Sequence, residues 1–117
     1  VLGDDLLEDK DKFLDSGVQE MYSDEKFPEV DKIASINAYL GAFPIAQALN
    51  DGADIVITGR SVDSAVTLAA CIHTYGWKED DYDKLASGSL AGHIIECGTQ
   101  STGGNFTDWE LVSKNHT

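Results

Sequence analysis

The stretch Gly52-Ala53-Asp54-Ile55-Val56-Ile57-Thr58-Gly59-Arg60-Ser61-Val62-Asp63 constrains this chain more than any other. Its three consecutive β-branched residues are too few for a buried helix and lack the alternation of a half-wetted strand. Such a run fits a central parallel strand covered on both faces, where each buried side chain contributes roughly 1.5–3 kcal/mol. Gly59 breaks the run, and Ser61 or Asp63 offers a cap for a following helix. In an α/β protein, ligands collect at such a junction, beyond the carboxyl end of a strand. Arg60, the only arginine of the chain, stands there.

The flanking sequence reads as further elements of the same kind. Asp4–Ser16 predicts a surface helix with Asp4 or Asp5 as its cap and Gly17 as its stop. Val18 to Asp31 is polar and aperiodic, which predicts a long connection with a hairpin-like excursion. Ile33–Ile36 predicts a short strand. A helix then starts near Ala42 or Phe43, because Pro44 is tolerated only in a first turn, and ends at Asn50, with Ile45, Ala48 and Leu49 on its core face. The next helix runs from about Asp63 to Tyr75, with Val62, Ala65, Val66, Ala69, Ala70 and Ile72 on one stripe. His73 reads as a satisfied core histidine on that helix. A last helix, Asp83–Cys97, contains Gly88 and Gly92, each costing about 1 kcal/mol relative to alanine. Close packing or close ligand approach compensates such a cost.

This order predicts βαβ units, hence the α/β class: a partial parallel sheet with flanking helices in Rossmann-like layers. The strands are too few for a complete doubly wound fold. Residues 1–117 therefore read as a single α/β domain or as a fragment of a larger domain.

Charge narrows the partners. With 21 acidic against 8 basic residues the net charge is −13, a field that repels nucleic acid and anionic membrane. An acidic small molecule would have to be held locally, against that field. No apolar run approaches the roughly 18 residues needed to span a bilayer, and no signal peptide opens the chain. Cys71 and Cys97 lie in apolar helical contexts and read as buried free thiols of a reducing compartment. Together these features predict a cytoplasmic protein.

Four groups of residues carry candidate chemistry. Gly59, Arg60 and Asp63 sit at a strand-to-helix turn whose free amides and guanidinium would hold a carboxylate or phosphate; pairing of Arg60 with a surface acid is the competing reading. His93 and Glu96, three residues apart, share a helix face. Imidazole moves protons at neutral pH, and a carboxylate beside it sets its tautomer, so this pair is the candidate catalytic unit, against a plain structural pair. A thiolate at Cys97 is disfavoured by its carboxylate neighbour. No third ligand stands at a recognisable spacing, so no metal is expected. The loop Gly98–Gly104 brings Gln100, Thr102, Gly103 and Gly104, whose amides and hydroxyls suit an anion, although it lacks a P-loop lysine. Asn37 and Tyr39, with Gly41, would orient a substrate's polar group from a strand end.

Taken together these segments resemble the acyclic terpene utilisation family (AtuA-like proteins). The resemblance rests on Ala34-Ser35-Ile36-Asn37-Ala38-Tyr39-Leu40-Gly41-Ala42, on Gly52–Arg60 with Asp63, on Ile72-His73 before Tyr75-Gly76-Trp77, on Asp81–Ala86, and on Ala91-Gly92-His93-Ile94-Ile95-Glu96-Cys97-Gly98 with Gln100, Thr102-Gly103-Gly104 and Asp108-Trp109. It covers about residues 31–109 in order and spacing, and Gly3-Asp4-Asp5-Leu6 is similar to the family's strand-to-helix junction. The resemblance implies the middle part of the family's N-terminal α/β domain. It implies a role in breaking down acyclic terpenes such as citronellol and geraniol, handled as branched acyl-CoA thioesters. Coenzyme A would then enter as part of the substrate. Arg60 with the His93–Glu96 pair suits lyase- or hydratase-type proton transfer on such a thioester. The competing expectation is a non-catalytic assembly or ligand-binding module, with Trp77 and Trp109 in subunit packing. A homo-oligomer, or the remainder of a larger chain, is the expected macromolecular partner.

Overall fold

The computed structural model describes residues 1–98 together with Asp108, Glu110 and Lys114. Among them lie four α-helices: α1 (Lys10–Asp15), α2 (Phe43–Asn50), α3 (Ala65–Tyr75) and α4 (Tyr82–Ile95). Neither Asp4 nor Asp5 serves as the expected helix cap. The capping positions are Leu6 and Asp9, without side-chain cap bonds, and the Asp5 carboxylate accepts the Leu7 amide at 3.0 Å just ahead of the first turn. The helix that follows is shorter than predicted, a 3-10 turn at Leu7–Asp9 followed by α1. The excursion after α1 is closed by the Glu20 amide donating to the Glu25 carbonyl at 2.8 Å. Pro44 stands in the first turn of α2, where its missing N–H costs no hydrogen bond.

The buried core is small. It consists of Ala42, Ile45 and Ala46 from the start of α2 and Ala65, Ala69 and Ile72 from α3, with Val1, Val56, Leu68, Trp77 and Leu85 packed against it. Helices α2 and α3 run the same way: Leu40 bridges Ser61 before they begin, and Asn50 meets His73 near their ends. Helix α4 runs antiparallel to α3, because Gly92 lies against Ser64 and Gly88 against Leu68 and Trp77. A Cβ at Gly92 would stand 2.7 Å from the Ser64 carbonyl oxygen, and one at Gly88 would stand 2.8 Å from the Trp77 ring. The two helical glycines therefore serve close helix packing.

The α/β expectation is overturned. Among the described residues there is no β-strand, and so no parallel sheet and no Rossmann-like layering. Extended segments meet at isolated bridges, Asp5–Asn37 and Gln19–Lys26 antiparallel and Leu40–Ser61 parallel, and at the backbone pairing of Val1 with Ile57 and Gly59. Ile33–Ile36 forms no strand either. Two physical reasons stand out. The Asp4 side chain accepts the Arg60 amide at 2.7 Å, a donor that a ladder would give to a backbone carbonyl. And the described helices cover one side of the Ile55-Val56-Ile57 run only: Val56 packs on the core, while Ile55 and Ile57 are each 82% exposed.

Smaller corrections follow from the same packing. The inner face of α3 is Ala65, Leu68, Ala69 and Ile72, leaving Val66 and Ala70 in solvent. Helix α4 turns Leu85, Gly88 and Gly92 inward, so Leu90, Ile94 and Ile95 are exposed. His73 is satisfied but on the surface, its Nδ1 at 2.6 Å from Asn50 Oδ1. Cys71 is half-buried and Cys97 exposed, both as free thiols.

Candidate functional site

The helix directions gather one end of the molecule. The segment before α2 (Asn37–Leu40), the turn before α3 (Gly59–Asp63) and the residues after α4 (Glu96 and Cys97) all arrive where α2 and α3 begin and α4 finishes. The amino-terminal segment reaches the same place and supplies Asp4, which the sequence offered as a helix cap and as part of a strand-to-helix junction but not as a site residue.

Asp4 is the centre of this cluster. Its Oδ2 accepts two hydrogen bonds, from the Arg60 amide at 2.7 Å and from Asn37 Nδ2 at 3.0 Å. Its other oxygen lies so close to Gly59 that a Cβ there would stand 1.7 Å away, so a side chain at 59 would have to displace the carboxylate. The Arg60 amide, helped by Asn37, holds the Asp4 carboxyl below the usual aspartate range against a smaller desolvation effect.

Arg60 extends from this anchored turn over the Tyr39 ring, its guanidinium carbon 4.3 Å from the ring centroid. That is the geometry of a cation–π contact. Nη2 donates to Asp63 Oδ1 at 2.7 Å. The Tyr39 side chain and, after it, Asp63 hold the guanidinium's pKa above its ordinary value. The spacing of three between Arg60 and Asp63 was readable in sequence; the approach of Tyr39 was not. The turn differs from the expected anion nest, because its amides are largely engaged. Gly59 donates to the Val1 carbonyl at 2.9 Å, Arg60 to Asp4, and Val62 to the Leu40 carbonyl at 2.9 Å. Recognition of an anion there falls to the guanidinium.

The end of α4 enters the same electrostatic neighbourhood. The Cys97 thiol donates to Glu96 Oε1. Its pKa is raised above the thiol's ordinary value chiefly by that carboxylate, with Asp63 adding to the effect and Arg60 opposing it. Glu96 thus engages Cys97 and not His93. His93, near the end of α4, is exposed, and its imidazole makes no hydrogen bond among the described residues. No cluster of three or more potential metal ligands occurs among the described residues. No described helix is long and apolar enough to cross a membrane. Gln100, Thr102, Gly103 and Gly104 lie outside the described residues, so their expected role has no geometry to set beside it.

A sequence model described as acyclic terpene utilisation family protein AtuA matches residues 1–117. The chain belongs to the AtuA family. The match takes in the amino-terminal segment and the whole carboxyl-terminal part, beyond the stretch of about 31–109 on which the resemblance rested. Asp4 is therefore inside the AtuA region along with Asn37, Tyr39, Gly59, Arg60, Asp63, His93 and Glu96. No curated protein and no solved structure matches the chain.

Proposed function

We propose that this AtuA-family chain acts in acyclic terpene utilisation by binding a branched acyl-CoA or a related acidic metabolite, with Arg60 as its anion-binding group. The observation that carries this reading is the Asp4 carboxylate, which holds Asn37 and the Arg60 amide together and leaves a half-exposed guanidinium between Tyr39 and Asp63. An ion pair in that setting is weak because water screens it. An incoming carboxylate or phosphate therefore exchanges with Asp63 at little cost, and takes up the planar fork that lysine lacks.

The apolar part of such a ligand would lie in a cleft whose last lining residue, Ile36, precedes Asn37 in sequence. The cleft, of about 370 Å³, is lined by Phe27, Pro28, Lys32 and residues 33–36. That volume falls in the range of about 300–1,000 Å³ typical of small-molecule sites. His93 is the proton carrier in this reading, for a lyase- or hydratase-type step. Glu96 would orient it after giving up Cys97.

Isothermal titration with isovaleryl-coenzyme A tests the binding step. Arg60→Lys should weaken binding at least about fivefold with the thermal midpoint unchanged. His93→Gln should abolish turnover of a branched acyl-CoA and leave folding intact. Equal affinity in Arg60→Lys and wild type would remove Arg60 from the site, and undiminished turnover in His93→Gln would remove the proton-transfer role. One observation favours a second reading, a non-catalytic assembly module in which two copies of the chain pair. Leu2, Ile55 and Ile57, all more than four-fifths exposed, present apolar surface opposite the helices. Sedimentation equilibrium showing a dimer that Ile57→Lys dissociates would support it; a monomer at all concentrations would end it.

A further inference from the structure

We propose that Asp4 is the positioning residue of the Arg60 site: its carboxylate ties the Arg60 turn to Asn37 and so sets where the guanidinium meets an anionic ligand. The inference rests on the reading of Arg60 as an anion-binding group and adds the residue that places it.

The connectivity makes the case. Asp4 is 56 residues from Arg60 and 33 from Asn37 in sequence, yet a single oxygen of its carboxylate accepts from both. Arg60 is held on both sides of its α-carbon, the amide by Asp4 and the carbonyl by the Leu40 amide at 3.0 Å. With its backbone fixed at both peptide groups, the direction in which its side chain departs is fixed as well. Asn37 and Tyr39 are two residues apart on an extended segment, so their side chains leave on the same side. Fixing Asn37 therefore also fixes the ring on which the guanidinium lies. Asp4 thus places both the cation and its aromatic support.

Gly59 is the complementary half of the device. The carboxylate occupies the space that a side chain at 59 would need, with Oδ1 at 1.7 Å from an added Cβ. The Gly59 amide in turn donates to the Val1 carbonyl, and the Val1 amino group donates to the Ile57 carbonyl at 2.7 Å. The two segments are therefore joined through their backbones on one side of Asp4 and through its carboxylate on the other. Backbone bonds also join these segments, the Leu40 amide to the Arg60 carbonyl, the Val62 amide to the Leu40 carbonyl and the Ala38 amide to the Asp4 carbonyl. But the acceptor of the Arg60 amide is Asp4, since Asp63 is used by the guanidinium and Glu96 by Cys97.

Three variants and two measurements test the proposal. Amide hydrogen exchange at Arg60 reads the anchor without any ligand, and titration with isovaleryl-coenzyme A reads its consequence. Asp4→Ala should raise the exchange rate of the Arg60 amide at least about tenfold and weaken binding by a similar factor, since the shared acceptor is lost. The Ala69 amide in α3 should keep its protection. Asp4→Asn retains a carbonyl oxygen able to accept both bonds and should stay within about threefold of wild type in both measurements. Unchanged Arg60 exchange and unchanged affinity in Asp4→Ala would overturn the proposal. If Asp4→Ala loses protection at Ala69 as well, Gly59→Ala decides. Displacing the carboxylate should free the Arg60 amide, and a still-protected amide there would overturn the proposal. Failure of the wild-type protein to bind isovaleryl-coenzyme A would count against the anion-binding reading instead, and the exchange rates would still decide whether Asp4 anchors the turn.

Discussion

At Cys97 the structure reverses the sequence expectation of a buried thiol and supplies a chemical consequence. Helix α4 ends at Ile95, and Cys97 follows in a left-handed conformation with φ of 58°. This turns its thiol toward the carboxylate of Glu96. The neighbouring charge disfavours the thiolate, so the folded pKa lies above the ordinary value of 9.0. The protonated thiol is the form that the fold favours. Its contribution to stability is fully present below pH 9.0 and is lost as pH rises through the higher folded value. Alkylation follows the thiolate. In a Cys71→Ser background, iodoacetamide at pH 8 should therefore modify wild-type Cys97 slowly and the Glu96→Gln variant severalfold faster. Equal rates would show that Glu96 does not control the thiol. This chemistry was partly legible, because a carboxylate next to a cysteine is visible in sequence. The Arg60–Asp63 pair was legible for the same reason, through its local spacing. Asp4 was not, since no spacing rule connects residues 56 positions apart, and the acid-rich first turn around it offered a sufficient local role as a helix cap.

Elements bounded by punctuation residues were read well and elements defined by their neighbours were not. Pro44 and Asn50 frame α2, and Gly76 closes α3, so both helices stand within two residues of their expected limits. The Ile55-Val56-Ile57 run reports what could be buried, but burial on both faces needs two covering layers, and the described helices supply one. The glycines of α4 lie between these cases: their cost was visible, and their purpose needed the α3 contact. Their environments also separate them. A methyl group at Gly92 meets backbone and the Ser64 Cβ at 2.7–3.0 Å, which can yield only if the helices part. At Gly88 it meets the Trp77 ring and a Leu68 methyl at 2.8–2.9 Å, both of which can rotate. Overpacking costs about 1–3 kcal/mol, while Gly→Ala in a helix recovers about 1 kcal/mol. Gly92→Ala should therefore destabilise the protein by about 1–2 kcal/mol in urea unfolding, and Gly88→Ala should lie within about 0.5 kcal/mol of wild type. Equal losses at both positions would mean that the α3–α4 contact does not discriminate backbone from side chain.

For the whole molecule the balance lies between a thin core and a large excess of one charge. The buried hydrophobic residues described are four alanines and two isoleucines, which let α2 and α3 approach closely but bury little apolar area per residue. Against this stands a net charge of −13, whose self-repulsion favours expansion. Salt acts on both the repulsion and the ion pairs, and separation decides which responds more. The ion pairs Lys32–Glu29, Arg60–Asp63 and Lys84–Asp81 are closed at 2.6, 2.7 and 3.0 Å. Those distances fall well inside the Debye length of about 8 Å at 0.15 M salt. Repulsion among unpaired carboxylates spread over the surface acts across longer distances, which are unscreened at 0.01 M salt, where the Debye length is about 30 Å. The repulsive part is therefore removed first. Raising sodium chloride from about 0.01 to 0.15 M should increase the thermal midpoint by about 2–5 °C, corresponding to somewhat under 1 kcal/mol for a domain of this size. Sodium chloride suits the test because, unlike sulfate, it is not a strongly excluded salt that would also strengthen apolar burial. A midpoint that falls over the same interval would mean that the local ion pairs outweigh the long-range repulsion, and that the acidic surface supports this fold.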